Sequence, residues 1–256
     1  VMSYGDNDAC VAYLVGEENA GMRAMFTMMN HARINVGLQG VAIAERAYQG
    51  ALAYARERVQ SARLGAPSRE PVRIIEHADV RRMLLTMKAR AEAVRALAYF
   101  NAAAVDRGVH GADEDARRAA RGLADLLTPL TKSYATDTGV EVSSLAIQVY
   151  GGMGFIEETG AAQHLRDARI TPIYEGTNGI QALDLVGRKL PMDGGAHWQG
   201  LLARIRAFIG TLPPESALAP LRESLEAAAR DVETAAEWFH THANAPDDVA
   251  GSATPF

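Results

Sequence analysis

One acidic residue, Glu175, stands directly before the turn Gly176-Thr177-Asn178-Gly179, and this turn leads into an apolar segment that is typical of a helix. The backbone N–H groups at the start of a helix can bind a phosphate group. The carboxylate could act as a base, or it could only favour the positive end of the helix dipole. These residues by themselves leave both interpretations open.

Few other patterns in the sequence could carry chemistry. The seven histidines are scattered, and only His240 and His242 are close together. Two residues apart on a helix they do not share a face, so we expect no metal site. The sequence has no Gly-x-Ser-x-Gly elbow, no Walker loop and no Gly-x-Gly-x-x-Gly after a strand. Gly151-Gly152-x-Gly154 follows a helical pattern and by its shape alone is a helix end.

Composition limits the class of protein. The chain has 256 residues, of which 48% are hydrophobic, so it can form one large or two small domains with a sizeable core. The net charge of -5 argues against a broad nucleic-acid surface. No apolar run approaches ~18 residues, so we expect no membrane span. A single cysteine, Cys10, suits a reducing compartment, and we expect a cytoplasmic protein.

Hydrophobic periodicity predicts an all-α fold, an up-down bundle of long antiparallel helices with a short N-terminal β remnant and extra C-terminal helices. The predicted helices cover about 22–60, 71–105, 116–149, 159–168, the stretch from Ile180 to Leu190, 197–210 and 216–239, with Pro213-Pro214 before the last. Pro129 lies inside the third helix and should kink it or split it. Gly37, Gly40 and Gly50 should let a neighbouring helix approach the first one closely.

The N-terminal residues differ in pattern from the rest. Residues 10–15 are β-prone and have the pattern of a last strand, whose partners would lie upstream. We therefore expect three parts. Residues 1–21 would end a middle β-domain, 22–190 would form a helical domain, and 196–256 would be an additional helical segment.

Several separated segments resemble, in order and spacing, the C-terminal helical domain of the acyl-CoA dehydrogenases. These are Gln-Val-Tyr-Gly-Gly-Met-Gly-Phe (148–155), Leu-Arg-Asp-Ala-Arg-Ile (165–170), Ile-Tyr-Glu-Gly-Thr-Asn-Gly-Ile-Gln (173–181) and Tyr-Ala-Arg-Glu-Arg-Val-Gln (54–60). The resemblance covers about residues 10–190. Residues 76–84 and the helices after 190 are most similar to the long bacterial branch, which includes 3-methylmercaptopropionyl-CoA dehydrogenase-like proteins. Ser61-Ala62 stand where the family often has Phe-Gly.

The resemblance implies a flavin enzyme that dehydrogenates an acyl-CoA between its α and β carbons. In that family a glutamate removes the α-proton of the thioester while the β-hydrogen leaves as hydride to FAD N5. Because an α-proton is only weakly acidic, the base must lie against it and the thioester oxygen needs hydrogen bonds. Glu175 matches the family's base. The family's other location for the base falls just before Arg33, and here that residue is Ala32.

The resemblance also implies binding residues. It assigns FAD contacts to Arg58, Gln60, His77, Gln148, Gly151, Gly152, Thr177 and Gly179, and substrate contacts to Asn30, Arg33 and Gly176. Arg58 and Gln60 match residues that reach the FAD of a partner subunit; otherwise they are a solvated helix end. Arg33 could instead be an ordinary surface charge. Ala78 and Gly179 stand where the family often has glutamine.

The family also has an N-terminal helical domain and a middle β-domain, which hold most of the flavin ring contacts. We therefore expect this chain to be a C-terminal portion that binds FAD weakly and has little activity alone. The resemblance further implies a homodimer or homotetramer, an acyl-CoA substrate and an electron-transfer flavoprotein as acceptor. The alternative is a non-catalytic helical module for oligomerisation or docking.

Overall fold

The computed structural model describes residues 3–8, 10–213, 215 and 217–256, and the fold of these residues is helical. Its α-helices are α1 (Gly21–Glu57), α2 (Ala78–His110), α3 (Glu114–Tyr150), α4 (Gly152–Phe155), α5 (Ala161–Ala168), α6 (Asn178–Asp184), α7 (Ala196–Thr211), α8 (Ala219–Thr241) and α9 (Pro246–Ala253). A π-helical turn, Leu185–Lys189, continues α6. The prediction of an all-α chain is confirmed. Pro214 of the predicted Pro213-Pro214 boundary lies outside the described residues.

The three long helices run up, down and up. Arg95 of α2 pairs with Glu45 near the middle of α1. Asn101 of α2 donates a 3.0 Å hydrogen bond to Thr131 of α3. Only residues 111–113 connect α2 to α3, and so short a connection makes the two helices antiparallel neighbours. The predicted antiparallel bundle is confirmed.

Glycines bring α1 and α3 close together. A Cβ added at Gly40 would lie 2.2 Å from the carbonyl oxygen of Ala135, and one at Gly37 would lie 3.0 Å from that of Thr131. The predicted role of these two glycines is confirmed, because any larger residue would push the helices apart. The contact fixes the middle of α3, which carries the residues that hold the candidate site.

The structure differs from the sequence predictions at two helix positions. Of the two outcomes predicted for Pro129, the split is wrong, since α3 keeps its helical assignment to Tyr150 and packing against its neighbours outweighs the proline's low propensity. The second helix begins at Ala78 rather than at Pro71. Residues 72–77 are instead held in a β-bridge between Val59 and Arg73 and in a 3-10 turn, which keeps them out of the helix.

The predicted N-terminal strand does not form among the described residues. Residues 10–15 have no regular secondary structure, and Val11, Tyr13 and Val15 are about four-fifths exposed or more. A strand is stabilised by hydrogen bonds to a neighbouring strand, and within the described part of the chain none is available to this segment.

The predicted C-terminal helices are confirmed as α7 and α8, and they pack on the bundle. Their apolar side chains join the π-helical turn and α3 in one cluster, which contains Leu126, Leu185, Val186, Leu190, Ala236, Phe239 and Ala253. The ring of His197 at the start of α7 lies directly against Gly122 of α3. Among the described helices, none combines the length and the hydropathy that a bilayer crossing needs.

Candidate active site

The turn that carries Glu175 has an unusual backbone. Glu175 has φ +54° and Gly176 has φ +82°, so two consecutive residues are left-handed. For a residue other than glycine this conformation costs roughly 1–2 kcal/mol. Thr177 then caps α6, its hydroxyl accepting a 3.2 Å hydrogen bond from the N–H of Ile180. Such strain persists only where the surroundings hold it, and it is common at functional sites.

Helix α3 holds this turn through Lys132 and Asn178. The Lys132 ammonium donates to the Gly176 carbonyl at 2.8 Å and to Asn178 Oδ1 at 2.9 Å. Asn178 Nδ2 in turn donates to Asp137 Oδ1 at 2.9 Å and to the Ser133 carbonyl at 3.3 Å. The turn is thus attached to two successive turns of α3, although the two segments are more than 40 residues apart in sequence.

Helix α1 and α6 complete the support. The Tyr174 hydroxyl donates a hydrogen bond to the side chain of Gln39 on α1. Gln181 on α6 is fully buried, and its Nε2 donates to the Gly176 carbonyl at 3.3 Å. Tyr174, before Glu175, is therefore tied to α1 by its side chain, and Gly176, after it, is tied to α3 and α6 by its carbonyl.

The Glu175 carboxylate itself is left available. The residue is half-buried, and its side chain makes no hydrogen bond or ion pair with any residue that the structure describes. Apolar side chains lie nearby in sequence and are open to solvent, with Ile173 47%, Ile180 48% and Leu183 42% exposed. A half-buried carboxylate without an internal partner, beside apolar surface, can accept a proton from a bound molecule.

A second group of predicted residues lines a groove of about 340 Å³ between the end of α1, residues 58–77 and the end of α3. The structure brings together here five of the eight predicted FAD residues: Arg58, Gln60, His77, Gln148 and Gly151. The Gln60 N–H donates to the Val72 carbonyl at 3.0 Å. A nitrogen of the His77 ring, Nε2, lies 2.8 Å from the Gln60 carbonyl oxygen. Tyr54 and Tyr150 stack in the groove with ring centroids 4.3 Å apart.

The groove presents its polar groups outward. Among residues 3–8, 10–213, 215 and 217–256, the side chains of Arg58, Gln60 and Gln148 have no hydrogen-bond or ion-pair partner. Gly151 has φ +62°, and a Cβ added there or at Gly152 would meet no atom within 4 Å. An exposed guanidinium beside open glycine backbone fits a large, flat cofactor that carries phosphate, since both the charge and close approach are provided.

The two predicted substrate residues on α1, Asn30 and Arg33, bond to α3 and α6 respectively. Arg33 is 6% exposed and donates to Asp184 at 2.8 Å, so the interpretation of Arg33 as a surface charge is wrong. Asn30 Nδ2 donates to Asp125 at 2.8 Å. Burial would raise the pKa of Asp184, but Arg188 and the other nearby cations outweigh it and lower that pKa. The assignment of Asn30 and Arg33 to substrate contact stays a prediction.

Sequence reasoning missed Lys132, the residue that holds the turn. It is 0% exposed, in a stretch of α3 whose neighbours Thr131, Ala135 and Thr136 are equally buried. A lysine within a buried helical face was the available signal, because lysine is almost never fully buried unless it has a partner. Within the described part of the chain, no three His, Cys, Asp or Glu side chains are grouped to hold a metal ion.

Comparison with known proteins adds an independent line of evidence. A family model described as acyl-CoA dehydrogenase, C-terminal domain, matches residues 19–190. The 3-methylmercaptopropionyl-CoA dehydrogenase of Ruegeria pomeroyi is 53% identical over 219 residues, which cover 86% of this chain and 37% of that protein. The butyryl-CoA dehydrogenase structure from Megasphaera elsdenii is 32% identical with a TM-score of 0.54, covering 68% of this chain and 40% of that one.

A third relative shares the fold. Caenorhabditis elegans ACDH-11, solved in complex with C11-CoA, is 22% identical with a TM-score of 0.77, and it covers 94% of this chain and 38% of that one. The chain therefore spans well under half the length of these relatives. The family model matches more than half of the chain, and the best-matching relative named above shares half of its aligned residues. On that evidence the chain belongs to the acyl-CoA dehydrogenase family and carries that family's C-terminal domain.

Proposed function

We propose that this chain is the C-terminal part of a flavin-dependent acyl-CoA dehydrogenase, which removes hydrogen from the α and β carbons of an acyl-CoA thioester. In this proposal residues 1–21 end the middle β-domain, 22–190 form the C-terminal helical domain, and 196–256 are an additional helical segment. The observation that carries the proposal is Glu175. Its half-buried carboxylate has no partner among the described residues and stands on strained, firmly held backbone.

Glu175 is the base that takes the α-proton. An acid with an internal salt bridge would have to break it before accepting a proton, and within the described residues Glu175 has none to break. The hydrogen bonds to Gly176 and Asn178 fix the backbone that carries the carboxylate, which lowers the entropic cost of finding the reactive geometry. FAD, when bound, would accept the β-hydrogen as a hydride at N5.

The chain's own residues fit two parts of the cofactor. One part would be held in and beside the groove by the half-buried His77 and by five exposed residues: Arg58, Gln60, Gln148, Gly151 and Gly152. Thr177 and Gly179 would contact another part next to the base. The Thr177 hydroxyl uses a lone pair to cap α6, so its hydrogen stays free to donate to a ligand. Gly176, beside the base, would contact the substrate together with Asn30 and Arg33.

The same proposal covers assembly and electron transfer. Arg58 and Gln60 are exposed at the end of α1, which supports their predicted reach to the FAD of a partner subunit in a homodimer or homotetramer. The proposed electron acceptor is an electron-transfer flavoprotein, as the family resemblance implies.

A non-catalytic oligomerisation or docking module is the second candidate. One observation favours it. Leu85, Tyr99 and Val109 on α2 are each more than 60% exposed, and such apolar residues on a helix suit contact with another protein. This contact could also exist in the enzyme, so it does not exclude catalysis.

Replacement of the base separates these two functions. In the full-length protein that contains this chain, Glu175→Gln should slow acyl-CoA-driven bleaching of the flavin by at least ~100-fold, because general-base catalysis is removed. Glu158→Gln is the matched control, since Glu158 is an exposed acid of the same helical domain. Equal rates for the wild type and Glu175→Gln would contradict the assignment of the base and favour the non-catalytic module.

The isolated chain should bind FAD weakly and have little activity, because the family holds most of the flavin ring with its other domains. Titration of the chain with FAD, followed by flavin fluorescence, measures this directly. Tight stoichiometric binding with full turnover would refute it.

A further inference from the structure

Lys132 is a charged residue in the middle of the bundle. Its side chain has no exposed surface, and it is the largest of the fully buried side chains in the described residues. Removing an ammonium group from water is unfavourable unless hydrogen bonds replace those lost. An apolar side chain could fill the same space without that cost. The position therefore needs an explanation other than packing.

The two hydrogen bonds of Lys132 go to one short segment. Both acceptors, the carbonyl of Gly176 and Oδ1 of Asn178, lie within three residues after Glu175. The Gly176 carbonyl also accepts from Gln181 Nε2 at 3.3 Å, so the left-handed Gly176 is held from two sides. Neither of these two hydrogen-bond acceptors is a carboxylate, so the function of Lys132 is not a conventional buried ion pair.

The charges around Lys132 come from several elements. The pKa of Lys132 is lowered to about 8, chiefly by burial and to a lesser extent by Arg33 of α1, while Asp137 of α3 and Glu175 of the turn act in the opposite direction. Glu175 is thus close enough to interact with the ammonium, although the two are not hydrogen-bonded.

We propose that Lys132 is a positioning residue for Glu175, because its ammonium clamps the left-handed turn that presents the carboxylate. This inference rests on the proposed function, since it assigns to Lys132 a purpose in the reaction of Glu175. The residue acts through the backbone of Gly176 and the side chain of Asn178, and it touches no reacting atom.

The test compares Lys132→Met with Thr131→Val in the full-length protein. Methionine keeps an unbranched side chain of similar length but cannot donate a hydrogen bond. Thr131→Val, one residue away, removes a different buried hydrogen bond, the one from Asn101, and keeps the shape of the side chain. The control therefore perturbs the same helix without touching the turn.

The measurement is acyl-CoA-driven flavin reduction. Lys132→Met should lower kcat by roughly 10- to 100-fold with KM changed by less than about threefold, because a misplaced base slows the chemical step more than binding. Thr131→Val should leave kcat within about threefold of the wild type. Equal kcat losses in the two variants would reduce Lys132 to an ordinary core residue and overturn the proposal.

Amide hydrogen exchange of this chain provides a second readout that does not depend on the reaction. The N–H groups of Asn178 and Gln181 bond to the carbonyls of Pro172 and Thr177, and Lys132→Met should make them exchange at least ~10-fold faster. Thr131→Val should not change their rates relative to the rest of α3. Unchanged exchange at the turn in Lys132→Met would also overturn the proposal.

If Lys132→Met does not fold, Lys132→Gln replaces it, since an amide can still donate one of the two bonds. Its expected kcat loss is smaller, about threefold to tenfold, with the same direction of change in exchange. The outcome for Glu175→Gln keeps the two proposals apart. A large loss there with none in the Lys132 variants rejects only the positioning role, whereas no loss there rejects the base itself.

Discussion

The Glu175 turn and the groove at the end of α3 contain predicted site residues of the same family, yet they are built in opposite ways. The turn is held by buried polar groups, with Lys132, Asn178 and Gln181 bonded within the chain. The groove instead presents exposed polar side chains, and Arg58 and Gln148 have no hydrogen-bond or ion-pair partner among the described residues. Only the backbone that carries the groove is fixed, through the bridge between Val59 and Arg73.

Under the proposed function, this difference corresponds to two kinds of binding site. A base must be in place before the substrate arrives, so its support is internal and does not depend on other domains. A groove for part of a cofactor can leave its polar groups to water until the cofactor replaces that water. Substitutions at the turn should therefore affect the stability of the chain, and substitutions in the groove should affect ligand binding.

The largest expected effect is a pH dependence that arises from the turn. The pKa of Lys132 is about 8 in the folded chain and 10.5 when unperturbed. Between these pH values the unfolded chain holds a proton that the folded chain has released, so the free energy of unfolding rises with pH. Linkage predicts a gain of up to ~3 kcal/mol from pH 8 to 10.5.

Urea unfolding across this range, compared between the wild type and Lys132→Met, isolates the contribution because all other groups are shared. The free energy of unfolding of the wild type, minus that of Lys132→Met, should rise by up to ~3 kcal/mol from pH 8 to 10.5. Parallel curves would mean that Lys132 does not titrate there, and they would weaken the contrast between the two regions.

A loss of stability is next in size. Asn178→Ala removes hydrogen bonds to Lys132, Ser133 and Asp137 and leaves the buried ammonium bonded only to the Gly176 carbonyl among the described residues, so it should cost ~2 kcal/mol. Gln148→Ala in the groove removes no bond within the described residues and should stay within ~0.5 kcal/mol. Chemical denaturation measures both. Similar losses in the free energy of unfolding for the two variants would contradict the view that the turn, but not the groove, is internally supported.

An effect on binding should appear in the groove. Arg58→Ala should weaken FAD binding by the full-length protein about tenfold, because a charge-assisted contact is lost, while the melting temperature of the isolated chain hardly changes. Arg63→Ala is the matched control, since this exposed arginine follows closely in the chain and does not line the groove. A large loss of chain stability in Arg58→Ala would show that the groove is internally supported after all.

The smallest effect concerns the two glycines beside the groove. Gly151→Ala should destabilise the chain by ~1 kcal/mol, because only its left-handed backbone resists a side chain. Gly152→Ala should be neutral or stabilising by up to ~1 kcal/mol, because that residue begins the short helix α4 and a Cβ meets no atom. Thermal unfolding shows which of the two variants is less stable. A Gly152→Ala variant less stable than Gly151→Ala would contradict this prediction.

Much of the bundle could be predicted from the sequence by itself. The apolar repeat placed α1 and α3 within a few residues of their observed ends, since that repeat reports which face is buried. Gly37 and Gly40 indicated a close helix contact. The motif around Glu175 indicated the candidate base, because its residues are consecutive in the chain and can be recognised without knowledge of the fold.

Tertiary structure decided what depends on contacts between distant segments. Arg58 and Gln148 are far apart in sequence and meet only because α1 and α3 end side by side. Pro129 remains inside one helix because packing outweighs its local propensity. Lys132 looked like any helical lysine until the fold buried it beneath the turn after Glu175. Local sequence patterns indicate secondary-structure propensity and which face of a helix is apolar. The burial of a single residue and its hydrogen-bond partners depend on the fold of the whole chain.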